Sequence, residues 1–282
     1  MIGYPFQLKP YCGHFVRVLR AGFAILTLLL IIGCSTDDPP YVEYPVEELY
    51  NNSMNLMVSG QYQAAAAGFD EVERQHPYSP WARKSQIMAA FSYYQSNDYD
   101  EAILSAQRFI QLHPGHKDAP YAHYLIAICY YEQIVDVGRD QSLTVNAFTA
   151  LDTVIKKYPN SEYATDARLK LDLTRDHLAG KEMDIGRFYL NKNLHGAALK
   201  RFRVVLENYQ TTTHIPEALH RITESYLALG VMSEAQTAAA VLGYNYPGNI
   251  WYQRSYALLV DQNLKPAADK DSWIVRTWKS IF

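Results

Sequence analysis

His113 and His116, in "HPGHKD", are spaced like two ligands of a metal site, which could hold a cation that polarises water or braces a loop. The stretch offers no further ligand at metal-motif spacing. His76 in "ERQHP" occupies the same place before a proline as His113 in "IQLHP", so these histidines read as repeated structural positions. Hydrolytic and phosphate chemistry fare no better, because no G-x-S-x-G, H-E-x-x-H or phosphate-cradling glycine loop occurs. Cys129, in "LIAICYY", has the setting of a small buried hydrophobe. The chain reads as a non-enzyme with no cofactor and no metal. Cys34 is different. It follows the uncharged run Ala21–Gly33, whose thirteen residues fall short of a membrane-spanning helix, which needs about 20. Arg17 and Arg20 precede the run, small Gly33 ends it, and the polar "STDDPPYVEYP" follows Cys34. That is the layout of a secretory signal peptide.

The string "IIGC" resembles the lipobox of bacterial lipoproteins, in which the signal is cut before the cysteine and its sulfur receives a diacylglycerol. The resemblance implies a signal peptide over 1–33, lipid attachment at Cys34 and a lipidated linker over 34–45. Acyl chains gain about 0.8 kcal/mol per buried CH₂, and two or more chains hold a protein stably. Removal of residues 1–33 takes away three basic residues and no acidic one, so a formal charge of −3 becomes −6. An acidic chain without a basic, aromatic-studded stripe is not expected to bind nucleic acid.

What must carry any other function is a repeat. Five ungapped segments of eighteen residues share one template. They are "GQYQAAAAGFDEVERQHP" (60–77), "NDYDEAILSAQRFIQLHP" (97–114), "SLTVNAFTALDTVIKKYP" (142–159), "NLHGAALKRFRVVLENYQ" (193–210) and "GVMSEAQTAAAVLGYNYP" (230–247). The sixth position is always alanine (Ala65, Ala102, Ala147, Ala198, Ala235) and the thirteenth always apolar (Val72, Phe109, Val154, Val205, Leu242). Gly or Asn at the first position suits a tight turn between helices. The alanine lets two helices approach closely, and proline ends the second helix. Upstream, small residues (Ala90, Ala127, Gly186, Thr223) are each followed three residues later by a tyrosine (Tyr93, Tyr130, Tyr189, Tyr226). The pattern resembles the tetratricopeptide repeat, with a period of about 34 residues. It implies an all-α fold, an α-solenoid of about five helical hairpins. Extra residues around "QIVDVGRDQ" lengthen the third hairpin, and "SEYATDARLKLDLTRDHLAGKE" predicts a lengthened helix joining two halves, 46–160 and 161–260.

In such arrays the first helix of each hairpin lines the concave face. Those positions are Tyr50, Met54, Met57 and Val58; Lys84, Ile87, Phe91 and Tyr94; and Tyr121, Tyr124, Ile128 and Tyr131. This half is apolar and aromatic, which suits adaptable recognition. The counterparts Met183, Arg187, Leu190, Glu217, His220, Glu224 and Leu227 are mostly more polar. The tail "YVEYPVEELY" and the 134–141 insert are both near enough in sequence to cover the groove, which the sequence leaves open. In 261–282, "DSWIVRTWKSIF" puts Ile274, Trp278 and Phe282 on one helical side, either to cap the solenoid or to meet another subunit or the membrane interface.

The lipobox together with "HPYSPWARKSQIMAAFSYYQSNDYDEAI", "HPGHKDAPYAHYLIAICYYEQIVDVGRDQ", "KKYPNSEYATDAR" and "ENYQTTTHIPEALHRITESYLALG" resembles the BamD (ComL) family of outer-membrane assembly lipoproteins. The similarity runs from about residue 34 to about 260, and the "YYEQIVDVGRDQ" insert is its most specific piece. It implies a lipid-anchored scaffold on the periplasmic face of the outer membrane of a Gram-negative bacterium. Its expected partners are unfolded β-barrel proteins at the N-terminal repeats and the POTRA domains of the barrel subunit BamA at the C-terminal ones, beside other assembly lipoproteins. By the same resemblance, Arg201 is expected to meet an acidic POTRA side chain, with Lys200 and Arg203 beside it. A solvated arginine is the plainer alternative. Other functions compatible with the repeat are a periplasmic scaffold for cell division or envelope polymer export, and a murein hydrolase with a carboxylate in a cleft.

Overall fold

The computed structural model describes residues 42–279, so the signal peptide, Cys34 and Phe282 lie outside the described residues. Within that range there are twelve helices and no strand. The first three hairpins are α1 (Val46–Val58) with α2 (Tyr62–Gln75), α3 (Pro80–Gln95) with α4 (Tyr99–Leu112), and α5 (Ala119–Glu132) with α6 (Ser142–Lys157). The fourth and fifth are α7 (Glu162–Asn191) with α8 (His195–Asn208) and α9 (Ile215–Ala228) with α10 (Met232–Asn245). Then come α11 (Ile250–Asp261) and α12 (Trp273–Lys279). From α1 to α10 each helix packs on the next, and first helices also touch the first helices of adjacent hairpins.

The turns explain why this sequence makes hairpins. Gly60, Asn97, Asn193, Gly230 and Asn263 all have positive φ, between 57° and 79°. At each, two backbone N–H groups fold back onto the last helical turn: Asn97 donates to Tyr94 O and Asp98 to Tyr93 O, and the other four repeat the pair. This is the Schellman arrangement, which satisfies carbonyls that the helix end would leave unpaired. Four of these residues open repeat segments. The fifth, Asn263, marks the end of α11, a first helix that the periodicity did not reveal. Ser79, Ser161 and Asn249 cap the starts of α3, α7 and α11 through side-chain oxygens.

All five template alanines and all five thirteenth-position residues are fully buried, at 0% exposure. The second helices thus meet their neighbours through alanine, as expected. Replacing Ala102 by phenylalanine should overpack the second repeat and destabilise it by about 1–3 kcal/mol. A thermal melt unchanged within error would contradict that packing.

Helix α7 is the predicted long connector, 30 residues without a break. Its N-terminal part (Ala167, Leu171) shares a core with Ala127, Leu151 and Val154 of the third hairpin. Its later part (Ala179, Met183) belongs to the core of the C-terminal hairpins. The core therefore changes over inside α7, beyond position 161. At the far end Ile274 of α12 is fully buried against that second core. Trp273 Nε1 donates to Tyr226 Oη at 2.7 Å, so α12 covers the last repeat.

Candidate binding groove

The first helices bring together a group of phenols. Tyr163, in the first turn of α7, lies 5.5 Å from Tyr121 and 5.2 Å from Tyr124, centroid to centroid. Tyr124 Oη donates to Asp166 Oδ2. Burial raises the pKa of Tyr121, Tyr124 and Tyr94; the neighbouring Tyr163 and Tyr94 phenols add to the effect on Tyr121, and the hydrogen bond to Asp166 and its charge add to it on Tyr124. All three are therefore neutral hydrogen-bond donors at physiological pH. Burial pushes Asp166 upward, but hydrogen bonds from Tyr124 and Lys170 outweigh it and hold the carboxylate low. Tyr94 also meets Tyr99 of α4 at 6.1 Å. The cluster is a half-buried wall of aromatic faces with fixed polar tips, able to take apolar side chains and hydrogen-bond a chain beside them.

The other expected groove residues separate. Tyr50 packs on Phe69 (5.5 Å) and Trp81 (4.7 Å), and Met54 and Met57 pack against the same small core. Phe91 is half-buried on α3, and Val58 is 80% exposed at the tip of α1. Tyr131 lies beneath the Lys170 ammonium, 5.6 Å from the ring centre. Ile87 is a correction: at 9% exposure it belongs to the core with Ala90 and Phe109, and Ile128 is buried as well, at 5%. Met183 and His220 likewise lie inside, at 0% and 5%. A first helix in this fold buries one side on its own partner and another on the next hairpin, so apolar spacing alone overcounts its open face. Tyr163 and Asp166 were missed because their segment reads as a connector. The signal was "NSEYA", which aligns with "YSPWA" and "DAPYA" at the starts of α3 and α5.

The basic residues of α8 do not form one patch. Arg201 Nη1 meets Glu182 of α7 at 3.1 Å, with the arginine side chain 41% exposed. Arg203 pairs with Glu207 at 2.7 Å and stacks 4.5 Å from the Trp273 ring centre. Lys200 is exposed. His113 and His116 pack edge-on against Phe109 at 5.4 and 5.5 Å. Among the described residues, no group of three or more His, Cys, Asp or Glu side chains could hold a metal. Burial pushes the Cys129 thiol up to about 12, which makes it a poor nucleophile.

Fold and site together define a tetratricopeptide-type helical array with an aromatic wall on its N-terminal first helices. The chain belongs to the YfiO family of outer membrane lipoproteins, which matches residues 42–242. It is 51% identical over 250 residues to the outer membrane protein assembly factor BamD of Caulobacter vibrioides, covering 87% of this chain and 82% of that protein. The BamD of Rickettsia prowazekii is 44% identical over 241 residues, covering 83% and 96%. A Xylella fastidiosa BamD is 31% identical over 263 residues, covering 89% and 87%.

Proposed function

We propose that the protein is a lipid-anchored scaffold on the periplasmic face of the outer membrane, within the machinery that assembles β-barrel proteins there. Cys34 carries the anchor. The N-terminal hairpins take an extended, aromatic-rich segment of an unfolded barrel protein. The C-terminal hairpins dock the POTRA domains of a BamA-like subunit, with Arg201 at that contact and other assembly lipoproteins alongside. Membership of the outer membrane lipoprotein family supports the setting. The observation that carries substrate binding is the convergence of Tyr94, Tyr121, Tyr124 and Tyr163 from three successive first helices.

Interface energy concentrates in a few aromatic anchors, so Tyr94→Ala and Tyr124→Ala should each weaken binding of a C-terminal peptide from an unfolded barrel by about 1–2 kcal/mol. Tyr124→Phe separates the ring from the hydroxyl held by Asp166. Both alanine variants should still recover the barrel subunit from detergent-solubilised envelope. Parental peptide affinity in both, measured by fluorescence anisotropy, would rule the groove out as the substrate site.

Arg201→Glu should show the opposite separation, keeping the peptide and losing the barrel subunit. The loss of one exposed ion pair costs at most about 1 kcal/mol, so Arg201→Ala serves as a folding control. If Arg201→Glu is folded and recovers its partner in full, Arg201 does no more than pair with Glu182.

A further inference from the structure

Between the 133–141 insert and the middle of α7 lies a cavity of about 550 Å³ whose apolar wall is Tyr131, Ile134, Val135 and Leu173. Its volume falls in the range of ligand-holding clefts, about 300–1,000 Å³, and its apolar residues are not folded away. Leu173 is 60% exposed, Val135 37%, and Leu169, one turn earlier on α7, 65%. Apolar side chains gathered in this way mark a contact surface more often than scattered ones do.

The mouth is negative. Glu132 and Asp136 border the cavity, and both are exposed. Among the described residues neither is in an ion pair. Two cations of the region are engaged elsewhere: Lys170 is held by Asp166 and the Tyr131 ring, and Lys181 donates to the carbonyls of Gly138 and Arg139 at 3.2 Å. His177 also borders the cavity, and its Nε2 is buried without a hydrogen-bond partner among the described residues. The insert is braced around this opening: Gly138 N donates to Asp136 Oδ1 at 2.8 Å, and the Gln141 side-chain amide donates to the carbonyls of Asp136 and Arg139. The recess is thus built, apolar inside and acidic at its edge.

We infer that this cavity is a docking site for a partner segment that presents a leucine or aromatic side chain next to a lysine or arginine. The apolar side chain fills the recess against Leu173 and Val135, and the cation meets Glu132 and Asp136. Charge complementarity selects this occupant over the chain's own linker, whose "STDDPPYVEY" carries Asp37, Asp38 and Glu43 and no basic residue. The site adjoins the tyrosine cluster, since Tyr131 stands close to both and the Glu132 charge acts on Tyr94, but Val135, Asp136 and Leu173 belong to the recess.

Two decapeptides with the same leucine and phenylalanine positions, one with flanking lysines and one with flanking glutamates, test the inference by anisotropy on the detergent-solubilised full chain. The lysine peptide should bind about tenfold more tightly, since like charges across an interface select against the wrong partner. Glu132→Lys with Asp136→Lys should reverse that preference, and Leu173→Ser should weaken both peptides. Both positions are exposed, but Asp136→Lys also removes the brace to Gly138 N. Glu132→Lys alone, which keeps it, serves as the control and should remove the preference, with circular dichroism checking that both variants fold. The preference should persist in the Tyr94→Ala/Tyr124→Ala variant. Equal binding of the two peptides, no binding of either, or a preference that survives the double charge reversal would overturn the inference. Loss of the lysine peptide in the tyrosine variant would also overturn it, by placing that peptide in the groove.

Discussion

Gly186→Ala should destabilise the protein by up to about 2 kcal/mol, even though alanine is the better helix former by about 0.8–1.0 kcal/mol in a helix interior. The reason is a close approach of α7 and α8. A Cβ at Gly186 would fall into the ring of Phe202, meeting Cε1 and lying 2.6 Å from Cζ. Phe202 is fully buried in the core that also holds Met183 and Val205, so its ring has nowhere to turn. Overpacking of that kind costs about 1–3 kcal/mol, which exceeds the propensity gain at most values. Emptying the same contact is worse: Phe202→Ala should cost about 3–5 kcal/mol. The two sites should couple. In a Phe202→Leu background the added methyl group has room, so Gly186→Ala should become neutral or stabilising. Groups in direct contact typically show interaction energies of about 0.5–3 kcal/mol in such a cycle. Urea unfolding of the four variants measures it. Additive effects would mean that the two helices do not meet through Gly186. Solenoid stability is summed over neighbouring repeats, so the loss should appear in the C-terminal hairpins first.

The same glycine shows what a sequence of this kind makes legible. Gly186 stands where Ala90, Ala127 and Thr223 stand in other repeats, so the sequence displays a recurring small position, and the structure adds the helix contact that it serves. The turns were legible for a similar reason. Gly and Asn tolerate positive φ, and they open four of the five segments. Legibility failed where the period breaks. Ser142 opens the third segment after a long insert, and its turn has no positive-φ residue. Between positions 160 and 181 the extra residues hid the alignment of Tyr163 with Trp81 and Tyr121, so the fourth wall of the tyrosine cluster went unseen. Helix α11 went unseen because only its first half of a hairpin resembles the others. Ile87 and Met183 were placed on the open face because periodicity gives a helix's apolar stripe but not how many neighbours share it. Ion pairing was invisible as well, since Arg201 and Glu182 are on different helices and only the fold brings them to 3.1 Å.

Acidification should weaken the C-terminal half through one buried histidine. His220 is 5% exposed on α9, with Nδ1 2.9 Å from Ser255 Oγ of α11 and its ring 5.1 Å from that of Trp251. Burial, helped by the charges of Arg221 and Arg254 and opposed by Glu224 and Glu217, pushes its pKa down from 6.5 to about 4. In the folded protein the imidazole is therefore neutral at pH 5, whereas in the unfolded chain it is mostly protonated. The unfolded state then binds more protons, so stability rises with pH across this range. The contribution is present in full above about pH 6.5 and is lost as pH falls to about 4. One pKa unit corresponds to about 1.4 kcal/mol, so the full window is worth at most about 3.5 kcal/mol. Carboxylates also titrate near its lower end, and a variant isolates the histidine. His220→Phe with Ser255→Ala removes the titrating ring without leaving the serine hydroxyl unpaired. Its stability should change less between pH 7 and pH 4.5 than the parent's, by about 2–3 kcal/mol in urea unfolding. The N-terminal tyrosine groove should bind peptide equally at both pH values over the same interval, because its phenols stay protonated throughout. Parallel pH curves for parent and variant would mean that His220 accepts its proton in the folded state and that the α9–α11 contact opens to solvent.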